Sequence, residues 1–511
     1  MVFVSKLKKI VSNKYNILFF MIFLFAFIIR LKYFNMNSAI WWDEAEYLSM
    51  AKHWSHSIPF EIHFVRPVLF PFIASIFFKI GLGEFSLRVF ELFTSMVTIL
   101  LTYLIGIQLY NKKIGLIAAF LSSISYLYLF YTARLMTELP SLTLWLLSFY
   151  LFWRGYVQKK SKYNLWLMGV AVGLSILMRF PTAIIAVVFL CYVLLKEGLK
   201  FIKNKDLWIS VVISVLVMLP YFIWYYFRFG GIGILEPSQY FEHSFLFIDY
   251  LKLLPAHYLF SPIFGNFHAF MLFFIIGVLT IFSDLIFGYG NIRRIKKLRR
   301  HFVVVLLFFV PYAYFSTAWG VEPRYFIYSL PAVFYIVAIG TLIFYNFLKK
   351  YNKHVAISLI LVLFVLGSYQ HLTLTNNSII SKKDSYLPVK EAALWMKEHS
   401  NERDIIYTSS HPQVAYYSER ETYKFPEDKF DQMGMYHTLG EPYSMNGRDD
   451  DQEFVYQINK LKPKFFMISN FQKSPEYAYN FPEVHSEMVE LVTQITNSDS
   501  LLINIYGFVY D

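Results

Sequence analysis

Long apolar runs, separated by short polar loops, fill the first three-quarters of the chain. Runs of about 18 or more apolar residues suit a bilayer core of about 30 Å at 1.5 Å rise per residue. They fall near residues 17–34, 87–110, 114–135, 139–157, 164–178, 182–196, 207–229, 267–288, 302–319, 325–348 and 354–372. The pattern therefore predicts about eleven transmembrane helices. Residues 67–80 are apolar too, but the segment is short and opens with Pro67 and Pro71. It is expected to lie in, or dip into, one membrane face. The amphipathic stretch Ala45 to Trp54 predicts a second interfacial helix. The opening apolar run is too long for a cleaved signal peptide, and no small-residue cleavage site follows it.

Beyond residue 380 the periodicity changes. Lys382-Lys383-Asp384-Ser385 reads as a polar linker. Helical spacing over Val389 to His399 precedes a strand-like run, Asp404 to Thr408. A second helix, Gln452 to Leu461, precedes a second strand, Phe465 to Ile468, and Leu501 to Tyr510 closes as a third. Helices alternating with strands predict a small α/β domain. The expected organisation is thus a transmembrane domain, 1–379, and a soluble α/β domain, 380–511.

Composition agrees. Hydrophobic residues make up 57% of the 511 and charged residues only 16%, with a mean hydropathy of +0.44. Soluble domains average about 25% charged residues. The charge is unevenly divided: residues 380–511 hold 13 Lys and Arg against 21 Asp and Glu, and the rest of the chain holds 34 against 14. The basic excess sits in membrane loops, so it does not describe a nucleic-acid-binding face. Clusters at Lys6 to Lys14, Lys112/Lys113, Arg154 to Lys162, Lys196 to Lys205, Arg293 to Arg300 and Lys349 to Lys353 fall on every second loop. The positive-inside rule makes those loops and the N-terminus cytoplasmic, and the α/β domain extracytoplasmic. One cysteine, Cys191, excludes an intrachain disulfide and a cysteine-based metal site.

The candidate chemistry gathers on the acidic loops. Trp41-Trp42-Asp43-Glu44-Ala45-Glu46 directly follows the first span. Charges that close to hydrocarbon are costly and usually have a task. Asp43 and Glu46, three apart, share a helix face. A carboxylate there can act as a general base or hold a divalent cation. The plainer reading is that Asp43 or Glu44 caps the next helix. Glu138 sits on the same side, at the start of another span. Basic residues on that side are few: Arg66, Arg88, Arg134, Arg179 and Arg324. Guanidinium groups bind phosphate through paired hydrogen bonds, so carboxylates for an acceptor and arginines for a phosphate suit a phospholipid-linked donor. Tyr131, Tyr325 and Trp42 are candidate substrate contacts. Glu61 and His63 form a weaker candidate ligand pair, and His257 and His268 read as interfacial.

Four short motifs, in order and on one side, resemble the GT-C superfamily of polytopic glycosyltransferases. The likeness is to the branch of protein O-mannosyltransferases and the lipid A aminoarabinose transferase. Asp43-Glu44 is similar to the acidic pair of that branch's first outer loop. Arg66-Pro67-Val68-Leu69-Phe70-Pro71 resembles its basic-Pro-Pro-Leu-Tyr stretch, with Val68 for the second proline. Met136-Thr137-Glu138 resembles its Met-Thr-Asp. Arg324-Tyr325 to Pro331 resembles its Arg-Tyr-to-Pro motif opening a late span. Trp41-Trp42-Asp43 also shares three residues with the Trp-Trp-Asp-Tyr-Gly motif of oligosaccharyltransferases, but Tyr-Gly is absent, the position differs and the outer domain is smaller.

The resemblance implies transfer of a sugar from a polyprenyl-phosphate donor to a protein or glycolipid acceptor at the outer face of the cell membrane. Asp43 would be the base or a metal ligand, with Glu44 and Glu138 assisting. Arg66 and Arg324, with Arg134, would hold the donor phosphate. A divalent cation, Mg or Mn, on Asp43 and Glu138 is left open, since no glutamate directly precedes Arg66. Two other functions compete: a transporter or flippase of a lipid-linked sugar, which needs no base, and a surface-glycan polymerase or ligase.

Overall fold

The computed structural model describes residues 13–62, 66–231, 248–249, 269–317, 322–426, 450–470, 472–496 and 502–510. His63, His257 and His268 lie outside them. The chain divides into two compact units. One comprises the residues up to Met36 and, of those described, Arg88 to Ile380. The other joins Asn37–Leu87 to the residues from Ser381 onward. The boundary near residue 380 falls where the composition changes. The segment 37–87, expected with the transmembrane domain, belongs instead to the unit that contains the α/β domain.

The first unit is helical. Among the described residues, eight helices are long and apolar enough to cross a membrane: Lys14–Tyr33, Gly83–Leu109, Phe180–Lys203, Lys205–Phe229, Ala269–Phe287, Lys296–Phe315, Leu330–Lys349 and Lys353–Ser381. Lys112–Ile124 and Tyr126–Thr132 together make a ninth, bent by 54°. The expected spans near 139–157 and 164–178 are also helical, over Glu138–Phe152 and Tyr163–Met178. The latter, at 16 residues, is about 24 Å long, shorter than a bilayer core. Helices approach closely where glycine removes a side chain. A Cβ on Gly340 would lie 1.8 Å from the Phe273 carbonyl oxygen, and one on Gly277 2.1 Å from that of Ile336. Such small-residue contacts replace the hydrophobic drive that lipid cannot supply.

The break at Ser125 ends a helix inside apolar surroundings and leaves carbonyls without amide partners. Arg30, within the first span and 1% exposed, meets that need. Its Nη1 donates to the Ser123 carbonyl at 3.0 Å, and its Nε to Ser95 Oγ at 2.7 Å. Sequence pattern alone gave no sign of this residue.

In the second unit, helices Trp42–His56 and Leu69–Lys79 occur where interfacial helices were expected. They pack together, with the Tyr47 and Phe70 rings edge to face at 5.8 Å. Among the described residues, the α/β part holds a five-stranded sheet: β1 (Ile405–Thr408), β2 (Glu421–Tyr423), β3 (Phe465–Ser469), β4 (Val489–Thr496) and β5 (Leu502–Phe508), in the order β2-β1-β3-β5-β4. β1 pairs parallel with both β2 and β3, and β5 is antiparallel to β3 and β4. Tyr407, Phe454, Phe466 and Phe481 form its aromatic core. Helices His411–Ser418 and Glu476–Val484, and strands β2 and β4, were not expected. β2 spans only three residues, and β4 shows mostly exposed positions rather than a buried face.

Candidate active site

Asp43, Glu44, Arg66 and Trp42 lie in one unit, and Glu138, Arg324 and Tyr325 cluster in the other. The first group stands at the start of helix Trp42–His56. Trp41 is extended, and Asp43 and Glu44 occupy the first turn, where the helix dipole favours negative charge. Glu44, 1% exposed, accepts a hydrogen bond from the Trp41 backbone N–H at 2.6 Å. That is the reach-back of a capping residue, so Glu44 positions the helix start. Asp43 Oδ1 accepts from Arg66 Nη1 at 2.8 Å, and Arg66 Nε lies 3.4 Å from Glu46 Oε2. The Arg66 guanidinium also lies 5.8 Å from the Tyr47 ring centre. Burial works against the charge on Arg66, but Glu46 and Asp43 outweigh it and raise its pKa above the usual guanidinium value. One guanidinium therefore pairs with two carboxylates and holds the Asp43 side chain in place. Trp42 begins the helix half-buried.

The second cluster surrounds Glu138, which is fully buried at the first turn of helix Glu138–Phe152. Its Oε1 accepts from Arg179 Nη1 at 2.5 Å and lies 3.8 Å from Arg324 Nη1. Its Oε2 is buried with no hydrogen-bond partner. Arg179 also donates to Thr137 Oγ1 at 3.3 Å. Tyr325 connects the two cations: Arg179 and Arg324 lie 5.7 and 5.5 Å from its ring centre, and the ring stacks on Phe315. Half-exposed Glu322 lies 3.7 Å from Arg324 Nε.

The local fold explains these positions. Helix Tyr163–Met178 stops at Arg179, which is extended and leads into the Pro181-containing turn of helix, so its side chain leaves the helix axis. Arg324 lies in the 3-10 turn Pro323–Tyr328 just before helix Leu330–Lys349. Arg134 is 1% exposed, with its guanidinium 5.3 Å from the Phe130 ring centre, and Arg88 donates to the Ala133 carbonyl at 3.3 Å. Tyr131 is buried in the short helix Tyr126–Thr132. By sequence alone Arg179 is one of several basic residues on the acidic side. The signal that singles it out is a charge between an apolar run and a Phe-Pro stop.

Among the described residues, no group of three or more His, Cys, Asp or Glu side chains gathers as a metal site would. The cation at Asp43 and Glu46 is Arg66, and the cations at Glu138 are Arg179 and Arg324.

The chain shares its fold with solved membrane proteins of the kind the motifs led one to expect. The ArnT structure from Cupriavidus metallidurans bound to undecaprenyl phosphate matches with a TM-score of 0.66 at 12% identity, over 97% of this chain and 98% of that one. The Archaeoglobus fulgidus oligosaccharyltransferase AglB, in complex with an inhibitory peptide and a dolichol-phosphate, matches at 0.61 and 13%, over 96% of this chain and 74% of that one. In sequence, the family described as dolichyl-phosphate-mannose-protein mannosyltransferase matches residues 65–224, which contain Arg66, Glu138 and Arg179. An uncharacterised protein of Aquifex aeolicus (strain VF5) is 28% identical over 191 residues, 35% of this chain and 38% of that protein. The match thus spans little more than a third of that relative's length.

Proposed function

We propose that this protein is a glycosyltransferase that moves a sugar from a polyprenyl-phosphate donor to a hydroxyl of a protein or glycolipid acceptor at the outer face of the cell membrane. The observation that carries the reading is the gathering of two guanidinium groups, Arg179 and Arg324, on one fully buried carboxylate, Glu138. Glu138 and Glu322 hold the two guanidinium groups in place. Each guanidinium carries five N–H donors in a planar fork, and such groups suit an anion with several acceptor oxygens, such as a phosphodiester. The GT-C fold, and the polyprenyl phosphates bound by two proteins of that fold, support the choice of donor.

In this reading Asp43 accepts the proton of the acceptor hydroxyl. The hydroxyl oxygen bonds to the anomeric carbon, the bond from that carbon to the phosphate oxygen breaks, and the polyprenyl phosphate leaves as an anion. A phosphate leaving group is already stable as an anion, so a positioned base and phosphate-binding cations suffice. Arg66 keeps the Asp43 carboxylate oriented, and Glu44 fixes the helix on which it stands. The cytoplasmic N-terminus belongs to the proposal, resting on the alternation of basic loops. The sugar is left at the level of hexosyl or pentosyl.

The test is Asp43→Asn, assayed in membranes with polyprenyl-phosphate mannose as the donor probe. General-base steps supply about 10²–10⁴-fold, and a loss of that size is expected with the protein still present in the membrane. Full transfer activity in Asp43→Asn would overturn the role of Asp43 as base, and no transfer by the unaltered protein would favour a transporter or flippase, for which no base is required.

A further inference from the structure

Helix Trp42–His56 carries the Asp43 cluster at one end and a second, unassigned ionic cluster toward the other. Lys52 Nζ donates to the Tyr416 backbone carbonyl at 2.9 Å and to Glu419 Oε1 at 2.6 Å. It also lies 4.1 Å from the Tyr416 ring centre. The other oxygen of Glu419 accepts from Lys397. Lys52 is largely buried, with a side chain 17% exposed, so this is no solvated surface pair. Glu419 adopts φ 56°, a left-handed conformation that a residue with a Cβ adopts at a cost. Such strain persists where surrounding contacts impose it.

These contacts converge on one element. Helix His411–Ser418, between β1 and β2, packs on the Asp43-bearing helix. Ser49 Oγ donates to the Pro412 carbonyl at 3.3 Å. Just ahead of the catalytic helix, the Ile40 N–H donates to Tyr417 Oη at 2.9 Å. The helix that bears the proposed base is thus held along its length and at its entry by one short helix of the α/β part. Residues 37–87 and the C-terminal segment accordingly form one compact unit.

We infer that the α/β part is a positioning device for Asp43, with the Lys52–Glu419–Lys397 chain as its ionic clasp and Lys52 as the positioning residue. The inference rests on the function proposed above. It gives the C-terminal unit a role in the transfer step itself, beyond any contact with an acceptor. Neither Lys52 nor Glu419 takes part in bond making. Their effect runs through the placement of the Asp43 carboxylate, where misplacement of about 1 Å is enough to cost roughly 10²-fold in rate.

The experiment is steady-state transfer by the purified full-length protein in lipid nanodiscs, with polyprenyl-phosphate mannose as the varied probe. Lys52→Met should lower kcat about tenfold or more and leave KM for the donor within about twofold. Lys52→Arg should restore most of kcat, because a guanidinium still reaches Glu419 and the Tyr416 carbonyl. Adding Glu419→Gln to Lys52→Met should bring little further loss. Lys464→Ala breaks an unrelated pair with Asp404 in the same unit and should leave kcat unchanged. If Lys52→Met fails to accumulate, Glu419→Gln alone carries the test with the same expected split. An unchanged kcat in Lys52→Met would overturn the inference. So would an equal loss in Lys464→Ala, or no recovery with Lys52→Arg. Activity surviving in Asp43→Asn would instead bring down the functional proposal. Loss there with none in Lys52→Met removes only this inference.

Discussion

Replacing Arg179 by methionine removes the hydrogen-bonded cation from a carboxylate with no access to solvent. Glu138 is fully buried, its Oε1 receives its 2.5 Å hydrogen bond from Arg179, and its Oε2 has none. Breaking a buried ion pair from one side typically costs about 3–5 kcal/mol, because the charge left behind is neither solvated nor paired. Arg324 Nη1 stays 3.8 Å away and supplies part of the missing attraction, so about 3 kcal/mol is the expected loss. Glu138→Gln removes the charge but keeps an acceptor for Arg179, and should cost about 1–3 kcal/mol. In the double variant the stranded charge no longer exists. Its destabilisation should fall short of the sum of the singles by about 2 kcal/mol, within the range of directly coupled residues. Denaturant or thermal unfolding of the full-length protein in nanodiscs measures the cycle. Binding of polyprenyl phosphate to the same four proteins reads the functional side: Arg179→Met should weaken it, as should Arg324→Met. Additivity within about 0.5 kcal/mol would show that the two side chains act independently, and the account of the cluster would fail.

Glu44→Gln should keep transfer within a few-fold, and Glu44→Ala should cost about 1 kcal/mol of stability as a lost helix cap. An Asp43-sized loss of transfer in Glu44→Gln would instead make Glu44 a participant. Gly340→Ala places a Cβ against the Phe273 carbonyl oxygen and must push two helices apart; a loss of about 1–3 kcal/mol is expected. Gly81→Ala, with open space but a positive φ, should be milder in the same melting assay. Burial pushes the Glu419 carboxyl up, but hydrogen bonds from Lys397 and Lys52 prevail and hold it below its ordinary 4.5. Since the folded value is the lower one, the pair stabilises above about pH 4.5, and that contribution fades as pH falls through the folded value. Wild type and Glu419→Gln should therefore differ in melting temperature at pH 7 and converge in acid. A constant gap down to pH 3.5 would refute this.

Periodicity made the helices of the first unit legible because lipid imposes a simple requirement on them: enough apolar residues and no unpaired backbone. Hydropathy is silent about what happens inside a span. It marked 114–135 as one crossing, whereas the chain bends at Ser125 and depends on Arg30 to receive the carbonyls released there. The α/β part showed the opposite weakness. Its strands β1, β3 and β5 carry buried apolar residues and were visible, while β4 has mainly exposed positions and no alternation to betray it.

The candidate site divides along the same line. Local spacing identified the acids, because Asp43, Glu44 and Glu138 all fall at helix starts where sequence predicts charge. Their roles depend on partners far along the chain. Glu44 and Asp43 are neighbours, yet one turns back to its own backbone N–H and the other meets Arg66, 23 residues on. Arg179 reaches Glu138 across 41 residues, and only the packing of two helices brings that about. A motif can therefore nominate Glu138 without showing whether a metal or a guanidinium faces it. The structure shows Arg66 beside Asp43 and Glu46, and Arg179 and Arg324 beside Glu138. Each pair joins residues far apart in sequence, so no local motif could reveal it.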